Sequence, residues 1–277
     1  MEAHQKRKEY KFVLASGVAE LIRTEVARNL PPDRDARDGY PIISEYYDSE
    51  ARCSYWQKQF GSQNRRRVRT RVYGRANAPI PPSAFVEVKH KLNGQASKRR
   101  VPVDMEAIVN FSTGRLPGKE SIPEVMDRRV LSEIEGLLRE QNGRPVVQIR
   151  YHRYAFDSGP EGTIRITFDI DPRCRFKMAP LAPDDPEFEL PLLEEGRAIM
   201  EVKTIGPVPY WFRQLLGKHR LIPRGFSKYA AALELYEFES RKLERPVSSG
   251  RSSESTSLAS SPEPGGAEKT KSPLQHS

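Results

Sequence analysis

Cationic side chains recur two residues apart in runs whose intervening residues are β-branched or aromatic. Arg69 and Arg71 alternate with Val68, Thr70 and Val72, and Glu87 and Lys89 alternate with Val86 and Val88. Lys98 and Arg100 flank Arg99, Glu201 and Lys203 flank Val202, and Glu9 and Lys11 flank Tyr10. With Arg153, Arg165 and Lys228 these positions bring ten cations against four carboxylates, Glu9, Glu87, Asp169 and Glu201. On a strand, residues two apart share a face. Like charges held that close repel and call for a compensating anion. Nucleic acid, anionic lipid, a nucleotide or another phosphate chain would each supply such an anion, and the arginine fork suits them because it grips two phosphate oxygens at once.

An antiparallel sheet with one solvated side also alternates, but it predicts a wet face of mixed Thr, Ser, Lys, Glu and Gln. Repeated cation pairs are a different pattern. If the charged faces turn inward, helices must cover the apolar faces, reversing the usual barrel. Periodicity leaves open whether the charged face lines a cavity or meets solvent.

The elements that must position these residues follow from the same alternation. The centre is a hairpin, VVQIRYHRYAF and TIRITFD, broken at Ser158–Gly162. Ile164, Ile166, Phe168 and Ile170 share one parity there, while Thr163, Arg165, Thr167 and Asp169 share the other; Tyr151 and Arg153 lie together on the first run. Other strands are expected at 9–14, 40–48, 65–73, 85–92, 97–103 and 197–204, with Asn93-Gly94 as a tight turn. Ser16 is expected to cap a helix carrying Val18, Leu21, Ile22, Val26 and Leu30, which Pro31-Pro32 stops. Further helices are expected near 51–60, from Asp104, through Val130, Ile134, Leu137 and Leu138, at 209–220, and from FSKY onward.

The chain of 277 residues has a net charge of +9 and a mean hydropathy of −0.68. Beyond Pro246, Arg251, Lys269 and Lys271 balance Glu254, Glu263 and Glu268, so the surplus sits in residues 1–245. That surplus favours polyanionic partners. Residues 1–245 read as one folded domain, and 246–277 as a Ser/Pro-rich disordered tail too poor in apolar residues to bury a core. No apolar run is long enough to span a bilayer and no secretory signal precedes the first strand, so a cytoplasmic location is expected. Cys53 and Cys174 form no metal-like spacing, and neither Gly118-Lys119 nor Gly217-Lys218 completes a P-loop. Any phosphate binding must proceed without a Walker motif.

Taken in order, EYKF, YYD, RTRVYG, FVEVKHK, SKRRV, VVQIRYHRYAF, TIRITFD, IMEVK and FSKY resemble the polyphosphate polymerase domain of the VTC type, within the triphosphate tunnel metalloenzyme superfamily. The resemblance spans roughly residues 6–238. It implies an α+β fold, an eight-stranded antiparallel tunnel with a charged interior, wrapped by helices. It further implies phosphate contacts from Lys11, Arg69, Arg71, Lys89, Lys98, Arg153 and Arg165, with Tyr151, Ser227 and Lys228 adding to them, and a divalent metal, Mn²⁺ or Mg²⁺, at Glu201. Arg69, Arg71, Arg153, Arg165 and Lys228 would be the catalytic set. At Arg100, Lys203 and Glu87, pairing inside the wall competes with ligand contact.

Two departures stand out. The hydrolase and cyclase branch carries ExExK on its first strand, whereas this chain has Arg7-Lys8-Glu9-Tyr10-Lys11, which favours the polymerase branch. Gly225 stands where the family carries a basic residue, with Arg224 as the available substitute.

Three functions follow as expectations. The first is transfer of the γ-phosphoryl group of ATP to a growing inorganic polyphosphate chain. The second is a metal-dependent triphosphate or polyphosphate hydrolase, with Glu9 or Glu87 activating water. The third is a non-catalytic binder of polyphosphate or nucleic acid. A nucleic-acid partner is not expected, because Tyr73, Tyr151 and Tyr154 make no regular stacking platform.

Overall fold

The computed structural model describes residues 7–74, 82–93, 95–112, 124–159, 162–183 and 185–244. The Ser/Pro-rich tail and Gly94 of the expected turn lie outside them. Eight long strands form one antiparallel sheet: β1 (Arg7–Ala15), β2 (Tyr40–Asp48), β3 (Arg65–Tyr73), β4 (Ser83–Leu92), β5 (Gln95–Val103), β6 (Arg144–Asp157), β7 (Ile164–Arg175) and β9 (Arg197–Ile205). A two-residue strand, β8 (Leu190–Pro191), pairs only with β7. The order β1-β9-β7-β6-β2-β3-β4-β5 leaves β1 and β5 as edges, so the wall is a curled sheet, a half-barrel, rather than a ring closed by hydrogen bonds.

Six α-helices among the described residues pack against it, four of them on its convex side: α1 (Ser16–Asn29), α2 (Cys53–Gln59), α3 (Met105–Ser112), α4 (Val125–Glu140), α5 (Tyr210–Lys218) and α6 (Lys228–Glu244). Apolar residues of one parity explain this arrangement. Val68, Val72, Val86, Val88 and Val101 pack with Ile108, Phe111, Leu131 and Ile134 of α3 and α4. Phe12, Ile166, Phe168, Met200 and Val202 pack with Ile22, Val26 and Phe212 of α1 and α5. Ile42, Val147 and Ile149 lie instead on the concave face, in register with Tyr151 and Arg71, and form a third cluster with Tyr55 of α2 and Tyr229 and Leu233 of α6, which close one end of it. Because α1, α3, α4 and α5 take the apolar faces, the charged faces turn inward.

Helix α1 differs from expectation in two details. Strand β1 runs straight into it, so Ala15 occupies the cap position without a side-chain bond and Ser16 donates its N–H to the Gly196 carbonyl at 2.7 Å. Leu21 is exposed, since Ala19, Ile22 and Val26 fall on the buried stripe and Leu21 lies a quarter-turn off it. Asp104 does cap α3, with Oδ1 accepting from Ala107 N at 2.6 Å. Asn93 adopts φ 49° in the two-residue β4–β5 connection, the left-handed backbone that such a turn requires.

Candidate functional site

The concave face encloses a cavity of about 1050 Å³. All thirteen residues singled out from the sequence line it: Lys11, Arg69, Arg71, Lys89, Lys98, Arg100, Tyr151, Arg153, Arg165, Glu201, Lys203, Ser227 and Lys228. Strand alternation delivers most of them. Ser227 and Lys228 instead arrive from the start of α6.

Their partners differ in kind. Arg71 is 6% exposed and, among the described residues, meets hydroxyls rather than a carboxylate: Nε donates to Ser44 Oγ at 3.0 Å and Nη2 to Tyr151 Oη at 2.9 Å. Its charge is left for something else. Arg153 is committed: Nε and Nη2 donate to the two oxygens of Asp169 at 2.7 and 2.8 Å. Lys228 donates to the same carboxylate at 2.5 Å. Burial and Arg153 lower the Lys228 ammonium despite that partner. Burial alone would raise Asp169, yet Arg153 and Lys228 outweigh it and bring the carboxyl down to about 2.

Arg69 pairs with Glu87, which also accepts from Lys98 at 3.2 Å. Glu87 is 1% exposed, and Arg69, Arg71 and Lys98 overcome its burial to hold it well below the usual carboxylate range. Lys203 pairs with Glu201, as pairing within the wall predicts, whereas Arg100 lies over the Phe85 ring at 4.3 Å. Arg165 is held by two carboxylates, Asp33 at 2.5 Å and Asp157 at 2.8 Å. Lys89 makes no ion pair among the described residues. Arg224 is exposed and lies outside the cavity lining.

Ser227 serves two ends, since its Oγ also accepts from Ala230 N at 3.4 Å in the first turn of α6. The start of α6 is held from below: Tyr229 donates its hydroxyl to Asp48, whose carboxylate also accepts from the Ser49 N–H just after β2 and from the Ser54 and Tyr55 N–H groups at the start of α2.

Single-strand parity overlooked several lining residues. Arg67 continues the Arg69 and Arg71 row and lies 4.4 Å over the Tyr229 ring, a position the alternation itself would have assigned. Tyr46 and Tyr73 place phenols beside the same arginines. Burial raises a phenol, but Arg69 and Arg71 bring Tyr46 down to about 8, and Arg71 brings Tyr73 to about 8 despite Glu87. Tyr151 goes the other way, pushed up to about 12 by burial. Asp33 reaches Arg165 from a one-turn 3-10 helix, Asp33–Asp35, 132 positions away, which no local pattern signals.

Among the described residues no three His, Cys, Asp or Glu side chains converge as a ready-made metal site. Glu201 and Glu9 do converge across the β1–β9 pair, where Lys11 Nζ lies 3.5 Å from one carboxylate and 3.1 Å from the other. Burial would raise Glu201, but Lys203, Lys11 and Arg153 hold it well below the usual range, so it is ionised. One or two carboxylates completed by phosphate oxygens and water fit what Mg²⁺ requires.

In comparison with known proteins, no curated protein matches the chain. Among solved structures it is similar to the PH1819 protein from Pyrococcus horikoshii OT3, with a TM-score of 0.43 and 12% identity, covering 83% of this chain and 99% of that one. It is similar also to a chain described as an adenylate cyclase from Vibrio parahaemolyticus, with a TM-score of 0.43, 10% identity and coverage of 83% and 99%. A family model described as the VTC domain matches residues 6–236. By that match, which runs over the whole curled sheet and the start of α6, the chain belongs to the VTC domain family.

Proposed function

We propose that the cavity is a phosphotransferase site that moves the γ-phosphoryl group of ATP onto the end of an inorganic polyphosphate chain. The observation that carries this reading is Arg71, a buried guanidinium hydrogen-bonded, among the described residues, to hydroxyls rather than to a carboxylate and aimed with Arg69, Lys89 and Lys98 into one cavity. Such a charge is costly to bury without a counter-ion. A phosphate chain supplies one.

The chemistry suits the residues present. An oxygen of the terminal phosphate attacks the γ-phosphorus, the bond from that phosphorus to the bridging oxygen breaks, and ADP leaves with the electron pair. The attacking oxygen is already anionic near neutral pH, so no strong base is needed. Catalysis then reduces to alignment and charge neutralisation. Arg69 and Arg71 would hold non-bridging oxygens, and Lys228 would reach them from the start of α6. Arg153 would act through the geometry that Asp169 imposes on it. Glu201, with Glu9, would hold Mn²⁺ or Mg²⁺, which supplies further neutralisation between phosphates.

The hydrolase reading asks a carboxylate to activate water. Glu87 is a poor base, because Arg69, Arg71 and Lys98 keep it ionised and engaged, which leaves Glu9. The test is purified protein with ATP and Mn²⁺, with and without a chelator, resolved for a polyphosphate ladder and for ADP and free phosphate. A ladder lost on chelation and in Arg153→Ala and Glu201→Ala supports the transferase. Free phosphate without a ladder supports the hydrolase.

A further inference from the structure

The end of the cavity away from the β4–β5 connection is aromatic and balanced in charge. Register sets Tyr73 opposite Ser83, one rung beyond Arg71 and Phe85, and β2 contributes Tyr40 to the same lining. Phe85 stands edge-on to Tyr73, and Tyr73 lies near Tyr40. Arg165 of β7 is answered there by Asp33 and Asp157. Such surroundings suit a flat polar ring better than another phosphate.

One further cation enters this end, and no strand supplies it. Arg34 sits in the middle of the one-turn 3-10 helix with φ 59° and ψ 27°, a left-handed backbone that residues other than glycine rarely adopt. The turn sets its guanidinium over two rings at once, with Cζ 5.3 Å from the centre of Tyr40 and 5.3 Å from that of Tyr73. Its Nη2 reaches Ser83 Oγ at 3.5 Å, and it makes no ion pair among the described residues.

The turn itself is fastened on several sides. Asp33 accepts from Tyr40 Oη at 3.1 Å as well as from Arg165, Ala36 N donates to the Asp33 carbonyl at 3.1 Å, and Pro32 bridges Phe156 of β6. Arg34 is only partly buried and lines the cavity, so its guanidinium keeps a surface for a ligand. Arg71 lies over the same Tyr73 ring, 5.9 Å from its centre. One ring therefore separates the guanidinium assigned to phosphate from Arg34, much as a sugar separates a nucleobase from its phosphates.

Resting on the ATP reading above, we infer that Arg34 is a base-stacking platform: the purine of a nucleoside triphosphate lies on its guanidinium, with Tyr40 and Tyr73 beneath, and the residue selects a nucleotide over a bare phosphate chain. A planar cation backed by aromatic rings is a surface on which a base stacks.

The experiment titrates the full chain, at fixed ionic strength and with Mg²⁺, with the β,γ-imido analogue of ATP and with ribose 5-triphosphate, which lacks the base. The unsubstituted protein should prefer the ATP analogue by about tenfold, within the range that stacking of one base contributes. Arg34→Gly suits the left-handed backbone and removes the plane, so the thermal midpoint should hold while the preference disappears. Arg34→Lys keeps the charge without the plane and should lose the preference too. Ribose 5-triphosphate should change by less than about twofold in either variant. No preference in the unsubstituted protein, equal losses on both ligands, or a preference kept by Arg34→Lys would overturn the platform while leaving the triphosphate site standing. If the unsubstituted protein bound neither ligand, the phosphate reading itself would fall.

Discussion

Asp169 and Arg153 face each other across β6 and β7 and exchange two parallel hydrogen bonds, of 2.7 and 2.8 Å. Asp169 is fully buried and holds Lys228 as well, so one carboxylate fixes two cations of the cavity. Its removal should leave two buried charges without their partner. Asp169→Ala is therefore expected to destabilise the fold by about 3–5 kcal/mol, the range for breaking a buried ion pair. Chemical denaturation reads this directly, and a loss below about 1 kcal/mol would show that the carboxylate is not what holds the pair.

The same residue sets an acid limit. Its folded value is about 2 against an ordinary 3.8. A depressed carboxyl contributes stability that is full above its ordinary value and is lost as pH falls through the folded one. The contribution is roughly 2 kcal/mol and should vanish between about pH 4 and pH 2. Asp169→Asn should flatten that part of the stability profile. A profile unchanged by the substitution would assign the acid loss to other carboxylates.

Much of this was legible in the sequence, for physical reasons. Paired cations at period two sort themselves onto one face whatever the tertiary structure, so Arg69, Arg71, Lys89 and Lys98 could be placed together from their spacing. What period cannot convey is partnership. Whether a guanidinium meets a carboxylate, as Arg165 meets Asp33 and Asp157, or a hydroxyl, as Arg71 meets Tyr151, depends on strands distant in the chain. The open edge between β1 and β5 was equally hidden, because closure depends on strand tilt and stagger rather than on alternation.

Tyr46 and Tyr73 give the site an alkaline limit. Both phenols titrate near 8, and their phenolates would neutralise Arg69 and Arg71 from within. In the empty protein the lowered values mean that stability rises as pH climbs from about 8 towards the ordinary 10, because the folded state gives up its protons first. A bound anion reverses the preference. Tripolyphosphate affinity should fall as pH rises through about 8, and Tyr46→Phe with Tyr73→Phe should remove most of that fall. Calorimetric titration from neutral to alkaline pH checks it. An equally steep fall in the double variant would trace the effect to lysines instead.

Arg71 tests whether fork geometry matters beyond charge. Ser44 and Tyr151 hold Nε and Nη2, which presets the direction of the guanidinium. Lysine keeps the charge but loses both supports and the bidentate grip. Arg71→Lys should weaken tripolyphosphate binding by about 1.5–3 kcal/mol, the worth of a charged hydrogen bond, with little change in the thermal midpoint. An affinity within about twofold of the unsubstituted protein, under about 0.5 kcal/mol, would mean that charge alone suffices.

Tyr229 connects the helix that delivers Lys228 to the carboxylate that starts α2. Its hydroxyl bonds Asp48, its ring stacks on Tyr46, and Arg67 lies over it. Phenylalanine keeps the ring and removes only the donor, so Tyr229→Phe isolates that bond. Asp48 retains three backbone donors from residues 49, 54 and 55, so it is not left bare. The cost should be about 1–2 kcal/mol of stability, typical of a hydrogen bond to a charged group. If the bond also positions the start of α6, turnover should fall while the apparent affinity for ATP moves little, because alignment rather than net charge has changed. Stability lost with turnover intact would confine the bond to holding α2 and α6 together, and leave Lys228 placed by Asp169 alone.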